Sequence, residues 1–158
     1  MIHDSPPGWP RRHQIAVFLW ALAALALIVS APAETADRLP GPIPAKVVDV
    51  IDGDTVTVRA QIWLGQEIQT RVRLAGADAP ELKARCPQER ALAERARDFL
   101  ARRLVDGEVL LRDIHHDKYG GRVVARLETP GGEDLARSLI AAGLARAYGG
   151  QARRPWCV

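Results

Sequence analysis

The chain has 158 residues, which is enough for one small domain with appendages and leaves little room for a second full domain. Hydrophobic residues make up 47% of it, so a real core is possible. The formal net charge is only +3. A charge this small does not identify a nucleic-acid-binding protein, and any basic surface has to be local.

The first 33 residues have the composition of an export signal. Arg11 and Arg12 precede an apolar run over residues 15–29 that contains no charged residue, and small residues follow up to Ala33. This order is typical of a secretory signal peptide and predicts a secreted or periplasmic protein. The alternative is an uncleaved N-terminal anchor, although the run is short for a membrane span. Only in that case do we expect a membrane contact.

The next stretch predicts a linker and then a β-hairpin. Residues 34–45 carry prolines and a glycine among polar residues without periodicity, which is typical of a linker. The folded domain is expected over residues 46–158. Its first two strands are predicted at residues 46–51 and 55–62, because both segments are rich in valine and isoleucine. The Asp-Gly-Asp between them is a strong tight-turn signal.

A third strand is predicted over residues 67–75, and it delivers charged groups at its end. Arg71 and Arg73 share one face, while the apolar residues between and after them point the other way. Asp78 and Glu81 follow in a short segment that a proline keeps stiff. One face of this strand is therefore expected to be core and the other to carry chemistry.

In the second half of the domain the spacing of apolar residues changes from that of strands to that of a helix and then back to that of strands. Apolar residues fall at helical spacing over residues 88–104. Strands four and five are predicted at residues 108–114 and 122–128, and a shorter helix at residues 133–142. This is a mainly β fold with α, and its element order is that of a five-stranded OB-fold barrel. One long helix lies between strands 3 and 4, and a short helix is C-terminal.

Cys86 and Cys157 are the only two cysteines of the chain. An even pair in an exported chain indicates a disulfide, and two unrelated thiols are the alternative. A zinc site is not indicated, since two cysteines are too few ligands and the histidines lack finger spacing. The adjacent His115 and His116 are expected to point to opposite faces of a strand, which argues against a joint role.

Three segments together resemble the signature of the staphylococcal nuclease-like (thermonuclease) family. They are the Ile-Asp-Gly-Asp-Thr turn at residues 51–55, the strand exit from arginine to Pro-Glu at residues 73–81, and the Asp-Lys-Tyr-Gly-Gly-Arg loop at residues 117–122. They occur in the family's order, and the resemblance covers residues 46–148. It implies a barrel with packed helices and a calcium-dependent nuclease with DNA and RNA as substrates. We predict no stable protein partner.

The resemblance also implies a metal site. Asp54 and Asp78 correspond to the family's two metal carboxylates, and the backbone carbonyl of Ala79 stands where the family has a threonine. Asp52 is interpreted as orienting water around the ion. These are hard oxygen ligands that suit Ca²⁺. Because oxygen ligands discriminate poorly among small cations, another divalent cation such as manganese is an alternative.

The catalytic residues implied by the resemblance are Glu81 as general base and Arg73 and Arg122 as phosphate clamps. The family loop has one glycine before its arginine where this chain has two, so Arg112 and Arg126 are the alternatives to Arg122. Planar guanidinium forks bind two phosphate oxygens at once and stabilise charge that grows in the transition state.

Two tyrosines, Tyr119 and Tyr148, resemble those that line the family's nucleotide pocket. Stacking on a base tolerates any sequence, which predicts activity on both DNA and RNA. The family's type member continues into a further C-terminal helix, and a bridge from Cys86 to Cys157 is expected to hold the shortened end. The alternative function is a non-catalytic OB-fold module that binds nucleic acid or a protein.

Overall fold

The computed structural model describes residues 37–157, and the export segment predicted over residues 1–33 lies outside them. The elements in chain order are β1 (Arg38–Leu39), β2 (Ile43–Val50), β3 (Thr55–Trp63), β4 (Gln66–Leu74), β5 (Ala77–Asp78), α1 (Pro87–Arg103), β6 (Glu108–His116), β7 (Arg122–Glu128), α2 (Leu135–Ala141) and β8 (Arg146–Ala147).

Five strands close into a barrel. β2, β3 and β4 form an antiparallel meander, and β4 then pairs in parallel with β7. β7 pairs antiparallel with β6, and β6 returns to pair antiparallel with β2. This closed arrangement with its two helices confirms the predicted five-stranded OB-fold barrel.

Alternating apolar side chains fill the barrel. In β3 the inward positions are Val56, Val58 and Ala60, and in β4 they are Val72 and Leu74, all of them buried. Successive strand residues point to opposite faces, so the residues between them face outward or toward the site. The alternation therefore fixes the register of the strands that carry the candidate site.

The long helix α1 packs on the barrel through small and branched residues. Ala93, Ala96 and Leu100 are its buried side chains. It begins with Pro87 and carries Glu89 in its first turn, both of which suit a helix N-terminus. The arginines of this helix are exposed or half-exposed. α2 begins after Asp134, whose side chain accepts a hydrogen bond from the Arg137 N–H.

Three two-residue strands were not predicted. β1 lies within the stretch that the composition assigned to a linker, and it pairs with β6. β5 and β8 pair with each other, Ala77 with Ala147 and Asp78 with Arg146. Strands this short have no period to detect, so long-range pairing alone reveals them. Within residues 37–157, no helix is long and apolar enough to cross a membrane.

Candidate active site

The turn between β2 and β3 is held tightly against its surroundings. Asp52 Oδ1 accepts a hydrogen bond from the Asp54 N–H at 3.0 Å, and the Asp54 carbonyl accepts one from the Leu74 N–H at 2.8 Å. At Gly53 an added Cβ would lie 2.6 Å from the Ala96 Cβ of α1 and 2.9 Å from the Ala79 Cβ. Glycine is thus needed for the turn to approach the helix.

Asp54, Arg73 and Asp78 form a buried charged group at the end of β4. Arg73 Nη1 donates to Asp54 Oδ1 at 3.0 Å, and Arg73 Nη2 lies 2.9 Å from Asp54 Oδ2 and 3.7 Å from Asp78 Oδ1. The two aspartate side chains are only 5% exposed and that of Arg73 10%. One guanidinium therefore sits between both carboxylates that the sequence predicted as metal ligands.

Burial and the neighbouring donors have opposite effects on the pKa of Asp54. Burial has the largest effect and raises the pKa, whereas the charge of Arg73 and the hydrogen bond from the Ala79 N–H lower it. The net result is a pKa raised to about 6. Thr55 Oγ1 also donates to Asp54 Oδ1. Both oxygens of this carboxylate are therefore already engaged by protein donors.

Glu81 lies at the edge of the same group but is open to water. Its side chain is 52% exposed. Its backbone N–H donates to Glu89 Oε1 of α1 at 3.2 Å, which ties the segment after β5 to the helix. The predicted base is therefore accessible to solvent, in contrast to the buried aspartates.

The loop between β6 and β7 brings Arg122 to the site. Arg122 Nε donates to Asp117 Oδ2 at 2.5 Å, and its guanidinium lies 5.2 Å from the centre of the Tyr119 ring. Burial raises the pKa of Asp117, but hydrogen bonds from the Tyr119 N–H and Arg122 outweigh it, so that the pKa lies below its ordinary value. This ion pair orients Arg122.

The alternatives to Arg122 are engaged elsewhere. Arg112 Nε donates to Glu128 Oε2 at 2.8 Å, and Arg126 lies 3.5 Å from Asp113 Oδ2. Arg122, by contrast, lines the cleft that Arg73 and Glu81 also line. The second glycine of the loop thus does not remove Arg122 from the site.

A cleft of about 940 Å³ joins these parts. The predicted site residues along its wall are Asp52, Arg73, Glu81, Tyr119, Arg122 and Tyr148. Asp54 and Asp78 lie behind Arg73, which contacts both. Segments separated by up to about a hundred residues in sequence therefore converge on one opening, which is large enough for nucleotide-sized groups.

His115 and His116 both line this cleft, although adjacent strand residues were expected to face opposite ways. The pairing of β6 with β7 is irregular between Arg112 and His115, and Asp113 has a φ of +53°. This bulge rotates the strand end. His115 Nδ1 contacts the Asp113 carbonyl at 2.9 Å.

Arg153 also lines the cleft, although no sequence motif predicted it there. Its Nε lies 2.9 Å from Asp78 Oδ1, and its Nη1 donates to Glu81 Oε1. Burial lowers the pKa of Arg153, but the hydrogen bond to Glu81 and the charge of Asp78 outweigh it and hold the pKa above its ordinary value. The C-terminal segment thus supplies a third arginine to the cleft.

The C-terminal segment is fastened on both sides of Arg153. Before it, the Tyr148 N–H donates to the Gly76 carbonyl at 3.0 Å, next to the pairing of β8 with β5. After it, Cys157 forms a disulfide with Cys86, as predicted. Arg146 links the two anchors, because its guanidinium stacks 3.7 Å from the centre of the Trp156 ring.

The donor set fits a hard divalent cation. Asp78 Oδ1 is buried and accepts no hydrogen bond from any residue in 37–157, and Arg73 Nη2 beside it is likewise without a hydrogen-bond acceptor there. Asp78 Oδ1 makes ion-pair contacts only, 2.9 Å from Arg153 Nε and 3.7 Å from Arg73 Nη2, so its hydrogen-bonding capacity is unused, which suits a ligand of a cation. The carboxylates of Asp54 and Asp78 are the hard oxygen groups at this place, and a cation that binds Asp54 would share its oxygens with the protein donors already on them.

A second group of metal-binding residue types does not fit. Ligand atoms of Cys86, Glu89 and Cys157 lie within 4.8 Å of one another. The two sulfurs are bonded to each other in the disulfide, which leaves only one carboxylate. Thiolate, not disulfide sulfur, is the metal ligand.

The molecule is therefore a closed OB-fold barrel that carries buried acidic residues and a cluster of arginines at one edge. The family model of the staphylococcal nuclease homologues matches residues 71–155, which include the end of β4 with Arg73, the segment of Asp78 and Glu81, the Arg122 loop and Arg153. The chain belongs to this family, which is a family of nucleases. A comparison with curated proteins found no match.

Proposed function

We propose that the protein is an exported, calcium-dependent nuclease that hydrolyses phosphodiester bonds in DNA and RNA. The observation that carries the proposal is the convergence of Arg73, Glu81 and Arg122 on one cleft. A phosphodiester is anionic and slow to hydrolyse, so its cleavage needs a base for water and positive charge for the phosphate. Both are present in this cleft.

Glu81 is the general base of the proposed reaction. It takes a proton from the attacking water as the oxygen–phosphorus bond forms. Its half-exposed carboxylate supports this role, because water reaches it although Oε1 accepts a hydrogen bond from Arg153. A base in position contributes typically about 10²- to 10⁴-fold to the rate.

Arg73 and Arg122 bind the phosphate in this proposal. Their planar forks hold two oxygens and stabilise the charge that develops in the transition state. The ion pair with Asp117 leaves the outer guanidinium nitrogens of Arg122 for substrate. Arg122 also assists the departing 5′ oxygen, and cleavage leaves a 3′-phosphate.

Asp54, Asp78 and the Ala79 carbonyl would hold the divalent cation. When bound, a calcium ion supplies positive charge that draws the phosphate into the site and polarises it. Asp52 orients water near the cation, and it lines the cleft beside Arg73. The buried Asp78 Oδ1, which accepts no hydrogen bond from the described residues, supports this assignment.

Tyr119 and Tyr148 contact the nucleotide in the proposed complex. Both line the cleft, and Tyr119 is 59% exposed. One tyrosine touches the phosphate and the other stacks on a base. Because every base has a flat π-face, little sequence preference is expected, and single strands of DNA and RNA are both substrates.

Export is supported by the disulfide, since such bonds persist in oxidising compartments outside the cytosol. The protein is then secreted or periplasmic after removal of residues 1–33. If the segment is retained, the nuclease domain is anchored to a membrane instead. Sequencing of the mature N-terminus distinguishes the two forms.

The proposal is tested by incubating the purified protein with linear single-stranded DNA and with RNA, each with calcium and with a chelator. We expect cleavage only with the cation, and its loss in Asp78→Asn but not in Asp106→Asn, an exposed aspartate in the turn after α1. Binding of DNA without cleavage under any divalent cation would instead identify a non-catalytic binding module.

A further inference from the structure

The side chain of Arg153 bridges two acids to which the proposed function gives separate roles. Its Nε is 2.9 Å from Asp78 Oδ1, and its Nη1 contacts Glu81 Oε1. We propose that Arg153 is a built-in counter-cation, which neutralises Asp78 and Glu81 while no divalent cation is bound and competes with the cation for them. This inference rests on the proposed metal site.

The competition follows from the use of one oxygen. Asp78 Oδ1 is the buried oxygen that accepts no hydrogen bond from the described residues, and the nearest positive group is Arg153. The contact between them is an ion pair whose geometry is too poor for a hydrogen bond. A cation on the same oxygen would lie within a few ångströms of the guanidinium, and like charges at that distance repel strongly.

Of the two arginines near Asp78, Arg153 is the one free to move. Arg73 is 10% exposed and contacts Asp54 through both terminal nitrogens. The side chain of Arg153 is 42% exposed, so it can turn into water without leaving a buried charge behind. Arrival of a cation is therefore expected to release Arg153 and to leave Arg73 in place for the phosphate.

The two anchors of the C-terminal segment determine how strongly Arg153 competes with the cation for Asp78 and Glu81. The Tyr148 N–H is bonded to the Gly76 carbonyl before Arg153, and Cys157 is bonded to Cys86 after it. An arginine held at both flanks has a high effective concentration at Asp78 and Glu81. Opening the disulfide removes one anchor, and we expect the arginine to compete less well.

The first test measures calcium binding by titration calorimetry on the purified full-length protein, which requires no cleavage. We expect Arg153→Gln to lower the Kd for calcium by about tenfold or more. Arg154→Gln is the matched control, because Arg154 is the next residue and is exposed. Its Kd should equal that of the wild type.

A measurement at high salt distinguishes direct competition of Arg153 with calcium for the Asp78 oxygen from long-range repulsion between the two positive charges. At about 1 M KCl the screening length is only about 3 Å, so charges acting through solvent have little effect. Displacement from a shared oxygen persists under these conditions. The ratio of Kd values between wild type and Arg153→Gln should therefore remain well above one, whereas a ratio that falls to one would overturn the proposal.

A second experiment removes the disulfide with the double substitution Cys86→Ser and Cys157→Ser. This double variant should also bind calcium more tightly than the wild type, and adding Arg153→Gln to it should tighten binding less than in the intact protein. Such non-additivity is expected because the disulfide acts through Arg153. Full additivity would contradict that part of the inference.

The outcomes distinguish this inference from the proposed function. If Asp78→Asn abolishes calcium binding but Arg153→Gln leaves the Kd unchanged or raises it, the counter-cation role is overturned and the metal site stands. If Arg153→Gln weakens only the binding of DNA, Arg153 binds phosphate and does not compete with the cation. If neither wild type nor variant binds calcium or cleaves DNA, the proposed function fails and the inference fails with it.

Discussion

Arg73 contacts Asp54 through both of its terminal nitrogens, at 3.0 and 2.9 Å, in a pair that is almost completely buried. Only a planar fork makes two such contacts and still presents edges to a phosphate. Arg73→Lys keeps the charge but loses the fork, so we expect kcat/KM for DNA cleavage to fall by about 10²-fold or more.

Arg71→Lys is the control for this prediction, since Arg71 lies two residues earlier on β4 and is exposed. Its kinetics should stay close to those of the wild type. Thermal melting of both variants checks that each is folded. Equal rates in the two variants would remove Arg73 from the phosphate-binding role.

Gly53 holds the acidic turn against α1 and the segment after β5. We expect Gly53→Ala to cost about 1–3 kcal/mol of unfolding free energy, because the new methyl group overlaps Ala96 and Ala79. Urea denaturation measures the change. Gly131→Ala, whose Cβ meets only the Thr129 hydroxyl at 3.7 Å, is the control and should stay within about 0.5 kcal/mol of the wild type.

The disulfide closes a long loop, because Cys86 and Cys157 are 71 positions apart in the sequence. The chain-entropy model assigns roughly 4 kcal/mol to a loop of this length. We therefore expect the melting temperature to fall by about 10 °C or more in reducing buffer. Identical melting curves for oxidised and reduced protein would show that the bridge does not hold the C-terminal end.

The two cleft tyrosines are predicted to bind substrate without taking part in the bond changes. Tyr119→Ala and Tyr148→Ala should raise KM for single-stranded DNA with little change in kcat, since stacking contributes about 1–3 kcal/mol per base. Steady-state kinetics measure both constants. Trp63→Ala is the control, because Trp63 is 72% exposed at the β3–β4 turn and lies outside the residues that line the cleft. A fall in kcat alone would contradict a binding role.

The barrel was predictable because its signals are local. Alternation in β3 and β4 and the Asp-Gly turn between β2 and β3 depend on neighbouring residues only. The short pair of β5 with β8 gives no such signal, because two residues carry no period. The bulge near Asp113, which turns both histidines to the cleft, also depends on how β6 pairs with β7.

Arg153 shows how far the site could be predicted. The predicted catalytic and metal-binding residues all lie in or next to one of the three short sequence motifs. Arg153 lies in none of these motifs and reaches the site from the C-terminal segment. A signal did exist: Cys86 lies five residues after Glu81, and Cys157 lies four residues after Arg153. The predicted disulfide already implied that these segments meet, and the charge on Arg153 made Glu81 and Asp78 its natural partners.

The most direct measurement is the cleavage of single-stranded DNA by the purified protein with calcium, beside Glu81→Gln and the exposed control Glu94→Gln. We predict calcium-dependent cleavage that falls by about 10²- to 10⁴-fold in Glu81→Gln and stays unchanged in Glu94→Gln. Cleavage by Glu81→Gln at the wild-type rate would contradict the assignment of the base, and absence of cleavage by the wild type under every divalent cation would contradict the nuclease itself.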